Sequence, residues 1–425
     1  MNQPGAITGL TLCTARFLAT AVVLSGALGS VAHARDVVVG ADAASVQDAL
    51  DLASPGDTVV LPDGRWPGPA VVTKAVTLRS AGGTLVSDGT GTTLRVEAAG
   101  AQVTGLTIAG SGHDLQGPDA CIYVAPSATG ARIVGNTVSD CLFGIWLHEV
   151  SGVHVVDNQV GGLPELEPAR RGNGIHLFDS EELTVQGNTV RGARDGVYVS
   201  ATEHSLIADN VVSELRFGIH YMYSYDNEIR GNIASHNIGG LALMGSHRLK
   251  VHGNIATDNE RQGILFRDVQ YCDIYENRTS DNAEGLFFFS SLDNDIHDNH
   301  IQGNDIGARV WAGTERNRVW GNHFVGNRQQ VFYVAAHDQE WGTSETGNYW
   351  SDYQGWDQDG DGRGDRPYRV DSLTAALLQR YPPAALLLNS PALELVQQFI
   401  ARVPSLRVPS IVDPAPQVVT PSVVP

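Results

Sequence analysis

Asparagine recurs down this chain at Asn136, Asn158, Asn188, Asn210, Asn232, Asn254, Asn277, Asn299 and Asn322, in steps of 22 or 23 residues with one step of 30. A second column follows five residues later (Asn237, Asn259, Asn282, Asn304, Asn327), and a sparser third holds Asn227, Asn294 and Asn317. Glycine keeps the same step at Gly144, Gly174, Gly196, Gly218, Gly240, Gly263, Gly285 and Gly307. A fixed period of this length means a solenoid, because each repeat is too small to bury its own apolar face. Three residues before each main Asn stands Ile or Val, and after each Gly comes a segment such as Gly174-Ile175-His176-Leu177, apolar at alternate positions. Alternation of period two predicts strands with one buried face. Leucine-rich repeats share the period, but their Leu consensus and helical half are missing. The expected fold is therefore all-β: a parallel β-helix of about 22-residue coils, right-handed as nearly all such coils are, with Asn side chains stacked at the corners.

The rest of the chain arranges itself around that solenoid. Residues 1–34 read as an export signal: Arg16, an apolar run from Phe17 to Val31, and Ala32-His33-Ala34 for cleavage. The alternative is a short membrane anchor, against which the run is shorter than the roughly 20 residues a spanning helix needs. Residues 35–75 are expected to hold an N-terminal cap, with a helix over Ala43–Ala53, and the first strands; residues 76–346 hold the repeats. The long step before Asn188 carries an insertion expected to protrude as a loop. Residues 347–385 form an acidic, Gly-rich region, 386–403 a helix started by Ser390 and Pro391, and 404–425 a Pro/Val-rich tail expected to be disordered. Three cysteines lie beyond the signal, with no C-x-x-C: Cys121 and Cys141 could pair and leave Cys272 over. A net charge of −19 argues against nucleic acid and against a basic groove for polyanionic polysaccharide.

In the Gly segments the first and third residues after Gly are apolar and point inward, so the second and fourth point outward. The outward second positions are Trp146, His176, Tyr198, His220 and Ala242; the fourth are His148, Phe178, Ser200, Met222 and Met244. Met222 and Met244 are the only methionines besides Met1, and one repeat separates them, which places them side by side on adjacent coils. His220 shares their face, with His176 two coils below and His148 and His247 as nearby candidates. Thioether with imidazole is the donor set that favours Cu(I), and few, exposed, soft ligands suit a metal received and passed on. The competing reading is packing of these side chains beneath the C-terminal segment or a partner protein. His252 and His297, with Tyr275 between, and His300 and His323 read as solvated polar-face residues. Asp357, Asp359, Asp361 and Asp365, with Gly362 at the tight turn, present oxygen ligands in a pattern calcium prefers, although Tyr368 replaces the final Glu of an EF-hand loop. A solvated acidic turn is the alternative there.

Three blocks carry a family resemblance: RFGIHYMYSYDNEIRGN (216–232), GNYWSDYQGWDQDGDGRGDRPY (347–368) and LLLNSPALELVQQF (386–399). Together they resemble NosD. The resemblance implies a periplasmic, non-enzymatic β-helix subunit that assembles with a membrane subunit and ATPase of the ATP-binding-cassette type. It implies a role in maturing the copper sites of nitrous oxide reductase: copper received from a chaperone lipoprotein and presented to the apo-reductase. Met222, Met244 and His220 would be the copper-handling residues, and the helix from Pro391 to Val403 the dock to the membrane subunit, which would hold the protein at the inner membrane. The rival class is a polysaccharide-active enzyme, or a carbohydrate-binding solenoid. An enzyme would need paired acids in an open groove. Asp195 and Asp226 read as isolated turn residues, and His337-Asp338 falls at the last coil.

Overall fold

The computed structural model describes residues 34–333, 339–371, 391, 395, 399, 403 and 409–418. The expected signal before Ala34, the His337-Asp338 pair and most of the expected 386–403 helix lie outside the described residues; Pro391, Leu395 and Phe399 are helical, the latter two with exposed side chains.

From Asp36 the chain winds as a right-handed parallel β-solenoid of about 14 turns. A typical coil carries one longer strand, Phe217–Met222, and two short ones, Glu228–Arg230 and Ile233–Ser235. The longer strands stack into a 12-stranded sheet, and the short ones build a 25-stranded sheet. Both are parallel, and residues pair one coil on: Ile219 with Leu241, Ile229 with Val251, Ile233 with Ile255. The interior is a continuous column of Val, Ile and Leu running from Val37 to Val331.

The corners explain the composition. The residue before each ladder Asn from Asn136 to Asn322 adopts a left-handed backbone, as at Asp209 (φ 54°), Gly231 (φ 63°) and Asp298 (φ 52°), which short polar side chains and glycine tolerate best. Each Asn then bonds to the next: the backbone N and Nδ2 of Asn210 donate to Asn232 Oδ1 at 3.0 and 2.9 Å, while Asn232 Nδ2 donates to Ile207 O at 2.9 Å. This ladder runs from Asn136 to Asn348, satisfying polar groups that would otherwise be orphaned in the core.

The Gly column has a different cause. A Cβ on Gly218 would lie 2.7 Å from Val212 Cγ2 and 3.0 Å from Ala234 Cβ, both interior atoms. Glycine and the residue after it therefore both face inward, and the strict alternation slips by one at this corner. The residue before the glycine is thereby turned outward.

At the N-terminal end the helix Val46–Leu52 covers the first coil with Val46, Ala49 and Leu50. It is shorter than the expected Ala43–Ala53 because Ser45 caps it in a capping box with Asp48 and Ala53 is already extended. The insertion, residues 161–171, is a loop with Pro164, Glu165 and the stretch Glu167 to Arg170 exposed, anchored by buried Leu163 and by Leu166 on an outer cluster with Phe143 and Trp146. One further expectation is corrected: the tail is not disordered over residues 409–418. Pro409–Asp413 pairs antiparallel with Tyr368–Asp371, and buried Asp413 accepts from Asn348 N (2.7 Å), Asn348 Nδ2 (3.0 Å) and Trp350 Nε1 (2.9 Å). A Pro-rich composition hid a strand whose partner lies far back in the chain. Cys121 and Cys141 are disulfide-bonded; Cys272 is a free, buried thiol whose pKa burial pushes up to about 12.

Candidate functional site

The outer face of the 12-stranded sheet brings the soft ligands together. One outward column runs Tyr123, Trp146, His176, Tyr198, His220, Ala242; the next runs His148, Phe178, Ser200, Met222, Met244, Arg267. Met222 and Met244 are direct register partners, both half-buried. Between Trp146 and His220 the rings touch in series: Trp146 stacks on His176 (4.6 Å between centroids, 3° between planes), and His176 and then His220 meet Tyr198 edge-on at 4.9 and 5.1 Å.

His220 is not solvent-facing as the alternation suggested: it is 7% exposed. Its Nδ1 lies 2.9 Å from Asp195 Oδ2, and Arg216 clasps the same carboxylate through Nε to Oδ1 at 2.8 Å and Nη2 to Oδ2 at 2.5 Å. Nε2 of His220 is buried without a hydrogen-bond partner. Asp195 is fully buried, so the expectation of an isolated turn residue is overturned. Burial pushes its carboxyl up, and the hydrogen bonds from His220 and Arg216 more than reverse this, holding it below the ordinary carboxylate value. Asp226 does sit at a left-handed turn (φ 55°), but Arg248 grips it at 2.7 and 2.6 Å.

His176 shares the column and differs in its environment. Burial, reinforced by the nearby charge of His148, lowers its pKa to about 3, so the ring is neutral near pH 7. His148 is engaged elsewhere, with Nδ1 2.6 Å from the Tyr123 hydroxyl and Nε2 3.3 Å from Glu149. His247 lies on the turn beyond Met244, against the Tyr225 ring at 5.2 Å. The histidines on the other sheet are not simply solvated: His252, Tyr275, His297 and Trp320 form one stack with planes within 4° of parallel. Glu228 holds His252, and Asp273 and Asp298 hold His297. His300 and His323 meet edge-on at 5.9 Å.

In the acidic loop, ligand oxygens of Asp357, Asp359 and Asp361 converge within 4.8 Å of one another. Asp365 stands apart from that trio and accepts from Gln358 N at 2.7 Å. The loop is also internally tied: Asp357 accepts from Gly360 N and Gly362 N at 2.7 and 2.8 Å, and Arg363 binds Asp361.

Comparison with known proteins fits this geometry. Residues 162–355 match the family model described as periplasmic copper-binding protein (NosD), and residues 75–191 match the right-handed β-helix region. The probable ABC transporter binding protein NosD of Pseudomonas aeruginosa is 46% identical over 385 residues, spanning 87% of this chain and 90% of that protein. The chain belongs to the NosD family. A second NosD relative, from Stutzerimonas stutzeri and named in the same words, is 42% identical over 372 residues, covering 84% of this chain and 85% of its own length. Among solved structures, a family 28 exopolygalacturonase of Yersinia enterocolitica (TM-score 0.59, 12% identity, 72% of this chain and 78% of that one) and the Dettilon tailspike protein (TM-score 0.56, 16% identity, 70% and 68%) share the fold alone. No helix among the described residues is long and apolar enough to cross a membrane. The NosD match spans the Met–His face and the last coils, and it includes Asp195 and Arg216, which the alternation rule had missed.

Proposed function

We propose that this chain is the periplasmic component of an ABC-type complex that matures the copper sites of nitrous oxide reductase. In this reading it receives copper from a chaperone lipoprotein and passes it to the apo-reductase. The cargo is Cu(I), held transiently by Met222, Met244 and His220, with His176 as the next imidazole in the column. The observation that carries the reading is the register pairing of Met222 with Met244 beside His220. Two thioethers and an imidazole make a soft donor set, which discriminates against calcium, magnesium and manganese. The family description as copper-binding supports the same cargo. A glycosidase-like reading gains little from this face, because Asp195 is neutralised by Arg216 instead of standing opposite a second free acid.

The test is an anaerobic competition titration against a Cu(I) chelator. Met222→Ala with Met244→Ala should abolish tight binding while the β-sheet circular dichroism persists; an unchanged affinity would sink the site. Residues 386–403 are proposed as the dock to the membrane subunit. Their deletion should leave Cu(I) binding intact and prevent co-purification with the transporter. Calcium at Asp357, Asp359, Asp361 and Asp365 would be structural, bracing the loop whose Gly364 N donates to Pro416 O at 2.8 Å. Chelation should then lower the melting temperature without altering copper affinity.

A further inference from the structure

The geometry points to Asp195, braced by Arg216, as the positioning residue that fixes His220 in its Nδ1–H form and presents the buried Nε2 lone pair as the nitrogen ligand of the copper site. This rests on the reading of Met222 and Met244 as thioether ligands.

The proton assignment follows from donor and acceptor capacity. An ionised carboxylate can only accept, so the 2.9 Å contact between Asp195 Oδ2 and His220 Nδ1 requires hydrogen on Nδ1. Arg216 Nη2 also lies 3.3 Å from Nδ1, but it stands closer to Asp195 Oδ2, at 2.5 Å, and donates there. With hydrogen on Nδ1 alone, Nε2 holds a lone pair. Were the proton on Nε2, the fold would bury an unpaired donor, which proteins almost never do. An imidazole with a purely structural role would not leave that atom unpaired either.

The surroundings are those of a ligand. Metal-bound histidines almost always donate their other N–H to a carboxylate or carbonyl, which sets the tautomer and raises the basicity of the ligating nitrogen. His220 and Met222 occupy successive outward positions of one strand, and Ala242 and Met244 the same positions of the next. The four Cα positions outline a patch of about 5 by 7 Å. Alanine, buried at the fourth corner, places no bulky side chain between the one imidazole and the two thioethers. Arg216 grips Asp195 through Nε and Nη2, so the carboxylate is placed to orient the imidazole before the metal arrives.

Two measurements decide it. In metal-free wild-type protein labelled with ¹⁵N-histidine, the His220 signal should show Nδ1 protonated and Nε2 bare; a protonated Nε2 overturns the inference whatever any variant does. In Asp195→Asn the amide can donate to Nδ1 and drive the proton to Nε2, as happens when the triad aspartate of serine proteases is so replaced. Cu(I) affinity should then fall about 10- to 100-fold, with loss of the nitrogen shell in X-ray absorption, and Asp195→Glu should recover part of it. If Asp195→Asn binds Cu(I) as wild type does while Met222→Ala with Met244→Ala abolishes binding, the positioning role is wrong and the copper site stands. If neither variant changes binding, both readings fall. Should Asp195→Asn not fold, the wild-type tautomer and the Asp195→Glu affinity still decide the question.

Discussion

His176 and His220 lie two coils apart in one column and are handled oppositely. A carboxylate clasps His220, whereas His176 is half-buried against Trp146 with Asn173 Nδ2 near its Nδ1, at 3.4 Å. The charges that reach His176 are those of His148, Arg194 and, opposing them, Asp195. With a folded pKa of about 3 against about 6.5 in the unfolded chain, His176 stabilises the fold above pH 6.5 and loses that contribution as pH falls. The slope should approach 1.4 kcal/mol per pH unit in the middle of that window. Urea midpoints of the metal-free protein at pH 7, 6 and 5 should therefore decline more steeply for wild type than for His176→Gln. Parallel slopes would show that His176 titrates normally. The pairing of Met222 with Met244 was legible in the sequence because one repeat length fixes register. The burial of His220 was not, since its partner Asp195 stands 25 residues away and before a glycine, where the alternation slips.

That slip belongs to the element. Each longer strand begins at a corner where glycine lets one coil lie directly on the next, and Gly218 is closed in by Val212, Ala234 and the Gly240 carbonyl, 2.8 Å from where a Cβ would stand. Gly218→Ala should cost about 1–3 kcal/mol through overpacking, and it should disturb the strand that carries His220 and Met222. Copper affinity should thus fall along with stability, a coupling absent from substitutions at the equivalent corner of distant coils. The ladder makes a complementary prediction. Asn232 Oδ1 accepts two bonds from Asn210, and its Nδ2 donates to Ile207 O and Asn254 Oδ1. Asn232→Ala would strand those groups in a dry corner, costing about 2–4 kcal/mol by urea denaturation. A loss under 1 kcal/mol would mean that water replaces the ladder. The Asn columns were the most legible feature of the chain, because a stacked amide has to recur at the coil length. The Gly column was legible as a period but not as a phase break, since spacing does not reveal which atoms a missing Cβ would meet.

For the solenoid as a whole the problem is its ends, where a coil exposes strand edges and an apolar cross-section. The N-terminal end is closed by a local helix, which helical spacing announced. The C-terminal end is closed by residues 409–418, which composition disguised. There Phe324, Trp350 and Tyr368 stack at 4.4 and 4.3 Å, and the strand Pro409–Asp413 packs alongside with Ile411 buried. Asp413 ends the Asn ladder as its last acceptor, while Gln417 N donates to Asn348 O at 2.9 Å and so extends the final coil. Asp413→Ala would remove the acceptor of Asn348 N, Trp350 Nε1 and Ala415 N and one of the two acceptors of Asn348 Nδ2, a loss of about 3 kcal/mol or more concentrated in the last coils. Removal of residues 409–425 should do more. Without the strand, the Trp350 stack and the final ladder bonds open to water, the end frays inward coil by coil, and its exposed edge becomes a template for another copy. The truncated protein should melt at a lower temperature and elute from size exclusion at a concentration-dependent larger size. Cu(I) binding some five coils away should survive, because in a solenoid each coil answers mainly to its neighbours. A truncated chain that stays monomeric with an unchanged melting temperature would mean that the last coil caps itself and that the tail serves another purpose.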